Sequence, residues 1–537
     1  MRDRLLATVF LLITASAAHA GLPPMNAEKW RQDLRYFAAE APKNHKNLFH
    51  AMTREQFEAA VRQLDARIPE LNDDQVVAEL ARIVALIHDG HTYIPFGREP
   101  VDYPRLPLRF EILQDGIVVR AAEPKYSGLV GGKLLSMDGR SAGEIFHAVA
   151  ELAPRDNEMT IRSRTPLLLS TPAILHGLGL ISSTEQIKIA VEKGGKKIEQ
   201  AVTSVPQPPE NRHGWIPDAS WVQVPLPLYL RHPDDNYWFE YLPDSRTLYV
   251  QWNTIQHKRE EPVAQFFRRV FAFADTTPVD RLVLDLRLNG GGNNYLNTEP
   301  IKAILRSPLN QRGKFFVLIG PRTFSAAQNL TNILHKYSEA EWVGEPTGAS
   351  PNSFGDPAPL TLPNSKLQVY LSTLWWQDLD ERDKRPWQAP DVAIEPTVSD
   401  FAAGRDPVME AVLHWQERPS LVETARSAAQ RKDYGGLRRA FQAFRTDPTN
   451  KYASFENEFN NLGYELLNAG DTEGAIEVFK INVEAYTESW NVYDSLGEAY
   501  RKAGQKALAI ANYEKSVQLN PRNRGGEAAL QQLRAQK

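Results

Sequence analysis

Cysteine is absent from all 537 positions. That absence removes disulfides, thiolate metal sites, a cysteine nucleophile and a lipidated cysteine behind a leader. A charge excess is missing too: 62 basic and 66 acidic residues leave a net charge of -4, interspersed, with no cationic field to condense on nucleic acid or anionic lipid. Beyond the leader no apolar run is long enough to span a bilayer, so no membrane span is expected in the mature chain. With 42% apolar and 24% charged residues the composition excludes disordered and collagen-like classes. The length exceeds what one core serves and predicts roughly three or four domains.

Residues 1–20 carry a short basic start (Arg2, Arg4), an apolar run from Leu5 to about Ala15 and the small-x-small triplet Ala18-His19-Ala20. They read as a secretory signal peptide cut before Gly21, because the run falls short of the roughly twenty residues an anchor needs. The expected location is secreted or periplasmic.

The region 21–95 reads as a helical cap, with Phe57, Val61 and Leu64, then Val76, Val77, Leu80, Ile83 and Leu86, at three- and four-residue spacing. In 96–205 the pattern shifts to short strands at 108–113, 117–121, 133–137 and 187–191. A glycine turn precedes Lys133-Leu134-Leu135-Ser136-Met137-Asp138-Gly139, and a helix over 142–152 follows. That order resembles a PDZ-like, peptide-binding module carrying an insertion at about 155–182. Prolines mark a connector over 206–235. In 236–415 strands at 248–252, 282–286 and 315–319 alternate with helices at 263–274, 296–305 and 325–337, which predicts a layered α/β unit with parallel pairing. In 416–537 Gly463 recurs as Gly497, Gly470 as Gly504, Ala475 as Ala509 and Phe479 as Tyr513, each 34 residues on, the tetratricopeptide period. A degenerate earlier copy is expected through Gly435, Ala440 and Phe444.

Ser325 stands where the apolar strand ending at Gly320 turns through Pro321 into a helix. A hydroxyl there meets the positive helix end, which suits a nucleophile, although taken alone a serine at a helix start is usually just an N-cap. Asp285-Leu286-Arg287-Leu288-Asn289-Gly290-Gly291-Gly292 follows a buried-type strand, and loops at the carboxyl ends of parallel strands share one crevice. An oxyanion hole is expected from the amides of Gly291 and Ala326, against the alternative of a plain glycine turn. A base is expected in Ile87-His88-Asp89-Gly90-His91-Thr92, where Gly90 is read as ending a helix, against the alternative of a structural histidine pair with no chemistry. No helical glutamate pattern accompanies the two histidines, so no metal and no cofactor are expected.

Taken in order, Asp89-Gly90-His91-Thr92, the Asp285 to Gly292 loop, Phe324-Ser325-Ala326-Ala327, Val343-Gly344-Glu345-Pro346-Thr347-Gly348, and Pro390-Asp391-Val392 through Gly404-Arg405-Asp406 resemble the C-terminal-processing and tricorn-type serine peptidases, the tail-specific protease-like family. The resemblance spans about residues 30–413. It implies an α/β fold with a crotonase-like (ββα) core, a PDZ-like module, and cleavage of peptides or protein tails. Processing members use a lysine after Val-Gly-Glu; here that position falls near Ser350, in a stretch without lysine. The tricorn-type alternative assigns the base to His91, with Glu345 and Asp356 as candidate orienting acids. A catalytically silent ligand binder of the same fold, an esterase on the same machinery, and a scaffold acting through its repeats are the competing readings. The repeats are expected to recruit a protein partner or substrate.

Overall fold

The structure is a computed structural model that describes residues 21–206, 216–417 and 419–535. The expected leader at 1–20 lies outside the described residues. The chain forms two compact units, each assembled from three stretches. Unit one takes the residues up to Asp234 together with Gly348–Pro386 and Thr397–Arg405; unit two takes Asp235–Thr347, Trp387–Pro396 and Asp406–Lys537.

Unit one begins with helices Ala27–Asn44, Arg54–Arg67 and Asp73–Ala85. The second and third start at capping boxes, Thr53 with Gln56 and Asn72 with Gln75, which satisfy amide groups a helix start leaves open. A seven-stranded antiparallel sheet follows. Its main path runs in spatial order Leu108–Leu113, Gly116–Ala122, Lys133–Met137, Gln186–Lys193 and Lys196–Thr203. The insertion forms helices Glu158–Leu169 and Pro172–Gly177.

A hairpin of Ser353–Thr361 and Gln368–Trp376 also belongs to unit one. The stretch read as one catalytic segment, 236–415, is therefore divided. The reason is local: Tyr93 and Tyr370 exchange backbone hydrogen bonds, and Asp33 accepts the amides of Asn364 and Ser365 at 2.8 and 2.7 Å.

Unit two is built on a six-stranded sheet in the order Val392–Ala393, Glu341–Gly344, Phe315–Ile319, Arg281–Asp285, Thr247–Trp252, Tyr237–Leu242. All neighbours are parallel except the last pair. Phe315–Ile319 is buried throughout, as a central parallel strand covered on both faces must be. Helices Val263–Thr276, Thr298–Arg306 and Ala326–Tyr337 pack Phe266, Ile304 and Leu330 into one core with Leu284 and Val317.

The C-terminal helices pair as expected from the repeat. A Cβ on Gly463 would fall 2.4 Å from the Phe479 ring, and one on Gly497 would fall 3.2 Å from the Tyr513 ring, so glycine lets the second helix of each pair close on the first. Gly470 and Gly504 make the left-handed turns between them. The earlier pair is Leu421–Gln430 and Tyr434–Thr446, but its register differs from the expected one. Leu437 and Phe441 are the buried positions, and Lys432 takes the left-handed turn, because an extra turn at Pro448–Asn450 lengthens the connection to the next pair.

Candidate active site

Ser325 belongs to unit two. Strands Arg281–Asp285 and Phe315–Ile319 run parallel side by side, so the loops that leave their carboxyl ends, 286–292 and 320–325, emerge together. Side chains and backbone stitch them to one another. Phe324 donates its amide to the Asn289 carbonyl at 3.0 Å, and the Thr323 hydroxyl donates to the Leu286 carbonyl at 2.8 Å. Asn297 Nδ2 donates to the Ala326 carbonyl at 2.9 Å, tying the segment after the glycines to the start of the helix.

Ser325 itself is held at φ 57°, ψ -127°, and its hydroxyl caps nothing. An N-cap serine sits in extended backbone and accepts an amide with its oxygen. Neither holds here. A positive φ at a non-glycine residue costs of order 1–3 kcal/mol and persists where the surroundings impose it, as at a strand-to-helix nucleophile turn. The Ser325 carbonyl starts the helix, accepting Gln328 and Asn329 amides at 2.7 and 3.2 Å. The Ala326 amide donates no hydrogen bond among the described residues, consistent with the open donors of a helix start.

Gly291 lies against this turn. At φ +96° a Cβ on it would sit 2.6 Å from the Ser325 Cβ, 2.8 Å from the Phe324 carbonyl oxygen and 2.9 Å from the Ala326 nitrogen. Its amide, expected as an oxyanion donor, is instead donated to Asn289 Oδ1 at 2.9 Å. The physical reason is the Asx-type turn that Asn289 makes with the residue two places on. The amides of Gly290 and Gly292 make no hydrogen bond among the described residues.

Arg287 anchors the same loop. Its Nη1 and Nη2 donate to the two carboxylate oxygens of Asp406 at 2.8 Å each, while Nη2 and Nε reach Asp285 at 2.6 and 3.0 Å. Asp285 is fully buried and Arg287 nearly so. Burial alone would lower the Arg287 pKa, but the charges and hydrogen bonds of Asp285 and Asp406 outweigh it and hold it well above the ordinary value. Asp406 is where the chain returns to unit two and also caps helix Pro407–Leu413 by accepting the Met409 amide at 3.1 Å. Two motifs far apart in sequence are thus one clamp.

Glu345 is in this unit as well, its amide donated to the Ile319 carbonyl at 3.1 Å.

His91 and Asp356 belong to unit one. The helix before His91 ends at Ala85, and the left-handed residue after it is His88, at φ 57°; the stop expected at Gly90 comes earlier. The Gly90 amide is donated instead to Asp156 Oδ1 at 2.7 Å. His91 is buried, and burial is the largest cause lowering its pKa to about 4; the Asp89 and Asp356 charges and a hydrogen bond to the Phe354 backbone oppose this. The ring is neutral at neutral pH, the form a base requires. Asp89 Oδ1 accepts the His91 amide at 2.9 Å, and its Oδ2 accepts the Thr92 hydroxyl at 2.6 Å and faces His45 Nε2 at 3.0 Å. Burial raises the Asp89 pKa, but hydrogen bonds from His45, Ser372 and Thr92 and the His91 charge outweigh it and bring it to about 2. Burial raises Asp156 to about 7, helped by the negative charge of Asp89. Asp356 has φ 52°; it holds the Trp376 indole at 2.6 Å and acts on His91 through its charge.

The structure thus brings Ser325, Ala326, Gly291 and Glu345 into one unit and His91 with Asp356 into the other. His45, Asp156 and Arg287 with Asp406 were not singled out from sequence; Asp89, Arg287 and Asp406 lie inside the quoted motifs, whereas His45 and Asp156 lie in none. Among the described residues no group of three or more His, Cys, Asp or Glu could hold a metal, and no helix is long and apolar enough to cross a membrane.

Solved structures resemble the chain at the level of the fold. Mature CPAF complexed with lactacystin matches at TM-score 0.52 and 13% identity, covering 72% of this chain and 98% of that one. Mature CPAF alone matches at 0.51 and 13%, covering 72% and 96%. The chain shares the CPAF fold. The tricorn protease is also matched, at TM-score 0.34 and 16% identity over 72% of this chain and 36% of that one. The tetratricopeptide-repeat family model matches residues 490–523, the third helix pair of the C-terminal array. No curated protein matches the sequence.

Proposed function

We propose that this chain is an exported serine peptidase that cleaves peptide bonds by acyl transfer through Ser325, with His91 as its base. The observation that carries the reading is the backbone of Ser325: a positive φ, a hydroxyl that caps nothing, and Gly291 pressed against its Cβ. A serine presented in this way at a helix start is poised for attack. His91 takes the hydroxyl proton as Oγ bonds to the carbonyl carbon, and the oxyanion rests on the Ala326 amide together with an amide of Gly290 or Gly292. The proton then passes to the leaving amine, and water releases the acyl group by the same steps in reverse. Glu345 and Asp356 are the candidate acids that orient the base. We read the parallel-sheet unit as a crotonase-like core, the antiparallel sheet of unit one as a PDZ-like module that receives peptide, and the repeats as a recruiting surface for a protein partner or substrate. Residues 1–20 direct export, and the mature chain begins at Gly21.

The test is fluorophosphonate labelling of the full chain beside Ser325→Ala and His91→Ala, with the adduct located by peptide mass. Labelling at Ser325 that disappears in both folded variants is the expected result. A parent protein that hydrolyses peptides but carries the adduct elsewhere, or a folded Ser325→Ala variant that turns over at the parental rate, overturns the assignment.

A further inference from the structure

Two arginines of unit one, Arg105 and Arg109, flank the start of strand Leu108–Leu113 and take no part in the chemistry above. They are 1% and 2% exposed, among the largest fully buried side chains of the protein. Among the described residues neither makes an ion pair. Arg109 donates through Nη1 to the Leu108 carbonyl at 3.1 Å, and its Nε and Nη2 have no partner. Arg105 reaches the Phe96 carbonyl with Nη2 only at 3.5 Å, and its Nη1 has no partner. The guanidinium of Arg105 presses so closely on Gly97 that a Cβ there would fall 1.8 Å from Nη2.

Both groups remain cationic at neutral pH. Burial lowers Arg109 to about 9, assisted by the charges of Arg105 and Arg120, and lowers Arg105 to about 10. The surrounding carboxylates are otherwise occupied or distant. Glu111 faces Arg120 at 3.5 Å, Asp218 is bound to the amide and hydroxyl of Ser220 at 2.8 and 2.6 Å and acts on Arg109 only through its charge, and Asp102 acts on Arg105 only through its charge. A buried ion without a hydrogen-bonded counter-charge is strongly disfavoured. The face of Trp221, 4.6 Å from the Arg109 guanidinium carbon, offsets only part of that cost. An anion placed here would supply both the missing charge and the missing acceptors.

The identity of the open atoms selects the anion. Nε and Nη2 form one edge of the guanidinium, with two parallel N–H bonds that match a pair of oxygens on one centre. We propose that Arg109 and Arg105, walled by Trp221, form a binding site for an oxyanion that presents two oxygens, a carboxylate or a phosphate. Arg109 grips the oxygen pair edge-on and Arg105 Nη1 supplies the second positive charge. A spherical halide has no second acceptor for that edge.

The experiment uses the full chain. Thermal unfolding is followed in chloride, acetate and inorganic phosphate at equal ionic strength, and each oxyanion is titrated calorimetrically. The expected result is a saturable rise in Tm with acetate or phosphate over chloride, matched by calorimetric binding at one site. A response to acetate alone assigns the site to carboxylates and a response to phosphate alone to phosphoryl groups. Arg109→Met removes the response, and Arg109→Lys, which keeps the charge but loses the paired N–H edge, weakens binding about tenfold. Equal Tm in all three salts with no calorimetric signal for the parent overturns the proposal, as does an oxyanion response that survives unchanged in Arg109→Lys and Arg105→Gln.

Discussion

His45 donates its Nε2 hydrogen to Asp89 Oδ2 across 3.0 Å, and neither side chain has any exposed surface. The tautomer follows from the other ring nitrogen, Nδ1, which accepts the Asn47 amide at 3.0 Å and so carries no hydrogen. The loop bearing His91 hangs on this one carboxylate. Asp89→Asn keeps the shape but leaves one acceptor oxygen where two are needed. We expect it to lower stability by about 1–3 kcal/mol and to reduce kcat more than it raises KM. Chemical denaturation alongside peptide hydrolysis gives both numbers; a folded variant with parental kcat would show that the loop keeps His91 in place without the charge.

Gly291→Ala places a methyl group 2.6 Å from the Ser325 Cβ at a φ of +96°. The backbone penalty alone is of order 1–3 kcal/mol, and the turn must shift to relieve the contact. The expected outcome is a folded protein whose fluorophosphonate labelling rate falls by about a hundredfold or more, the usual scale when an oxyanion donor is displaced, because the added methyl group also falls 2.9 Å from the Ala326 nitrogen. Circular dichroism and labelling kinetics on the same sample decide it.

Arg287 and Asp406 are predicted to be energetically coupled. Arg287→Met leaves Asp285 buried without its cation, a change that costs about 3–5 kcal/mol. Asp406→Asn is milder, because Asp285 still neutralises the arginine. A double-mutant cycle on unfolding free energy should return an interaction of about 0.5–3 kcal/mol. Additive effects would mean that the two motifs are neighbours without being a clamp.

The pH dependence has a definite direction. His91, lowered to about 4, stays in its basic form well below the ordinary histidine value of 6.5, so the acid limb of kcat/KM should fall near 4. A limb at 6.5 would place the working base in a more solvated setting.

Asp156 works in the opposite sense for stability. Its folded pKa, about 7, lies above the ordinary 3.8, so its contribution is complete below 3.8 and is lost as pH rises through 7. Asp156→Asn keeps an acceptor for the Gly90 amide and removes the ionisation. Its stability relative to the parent should therefore climb across that window and level off above it, as read from denaturation midpoints at a series of pH values.

Much of the architecture was legible because buried parallel strands and helical repeats leave strong local patterns. Phe315–Ile319 was read to the residue, since five consecutive buried apolar side chains admit little else. The hairpin Ser353–Thr361 with Gln368–Trp376 was not anticipated as a pair: Pro357 and Pro359 interrupt the first strand's pattern, and its exposed residues break the apolar alternation. The conformation of Ser325 was equally hidden, because a serine before a helix looks the same whether its oxygen caps or is turned away. His45 and Asp156 reach the histidine loop across 44 and 66 residues, a relationship that no local spacing encodes.

The interleaving of the two units has a consequence for how the protein is made. Unit one needs Gly348–Pro386 and Thr397–Arg405, and the sheet of unit two needs Val392–Ala393. On the ribosome, neither can finish assembling until nearly the whole span up to Arg405 has emerged, so its early helices and strands must wait without their final partners. A stop codon ahead of that point destroys both units, whereas one placed after Trp415, whose ring packs on Phe316, removes the helical repeats and leaves every strand of both sheets in the chain.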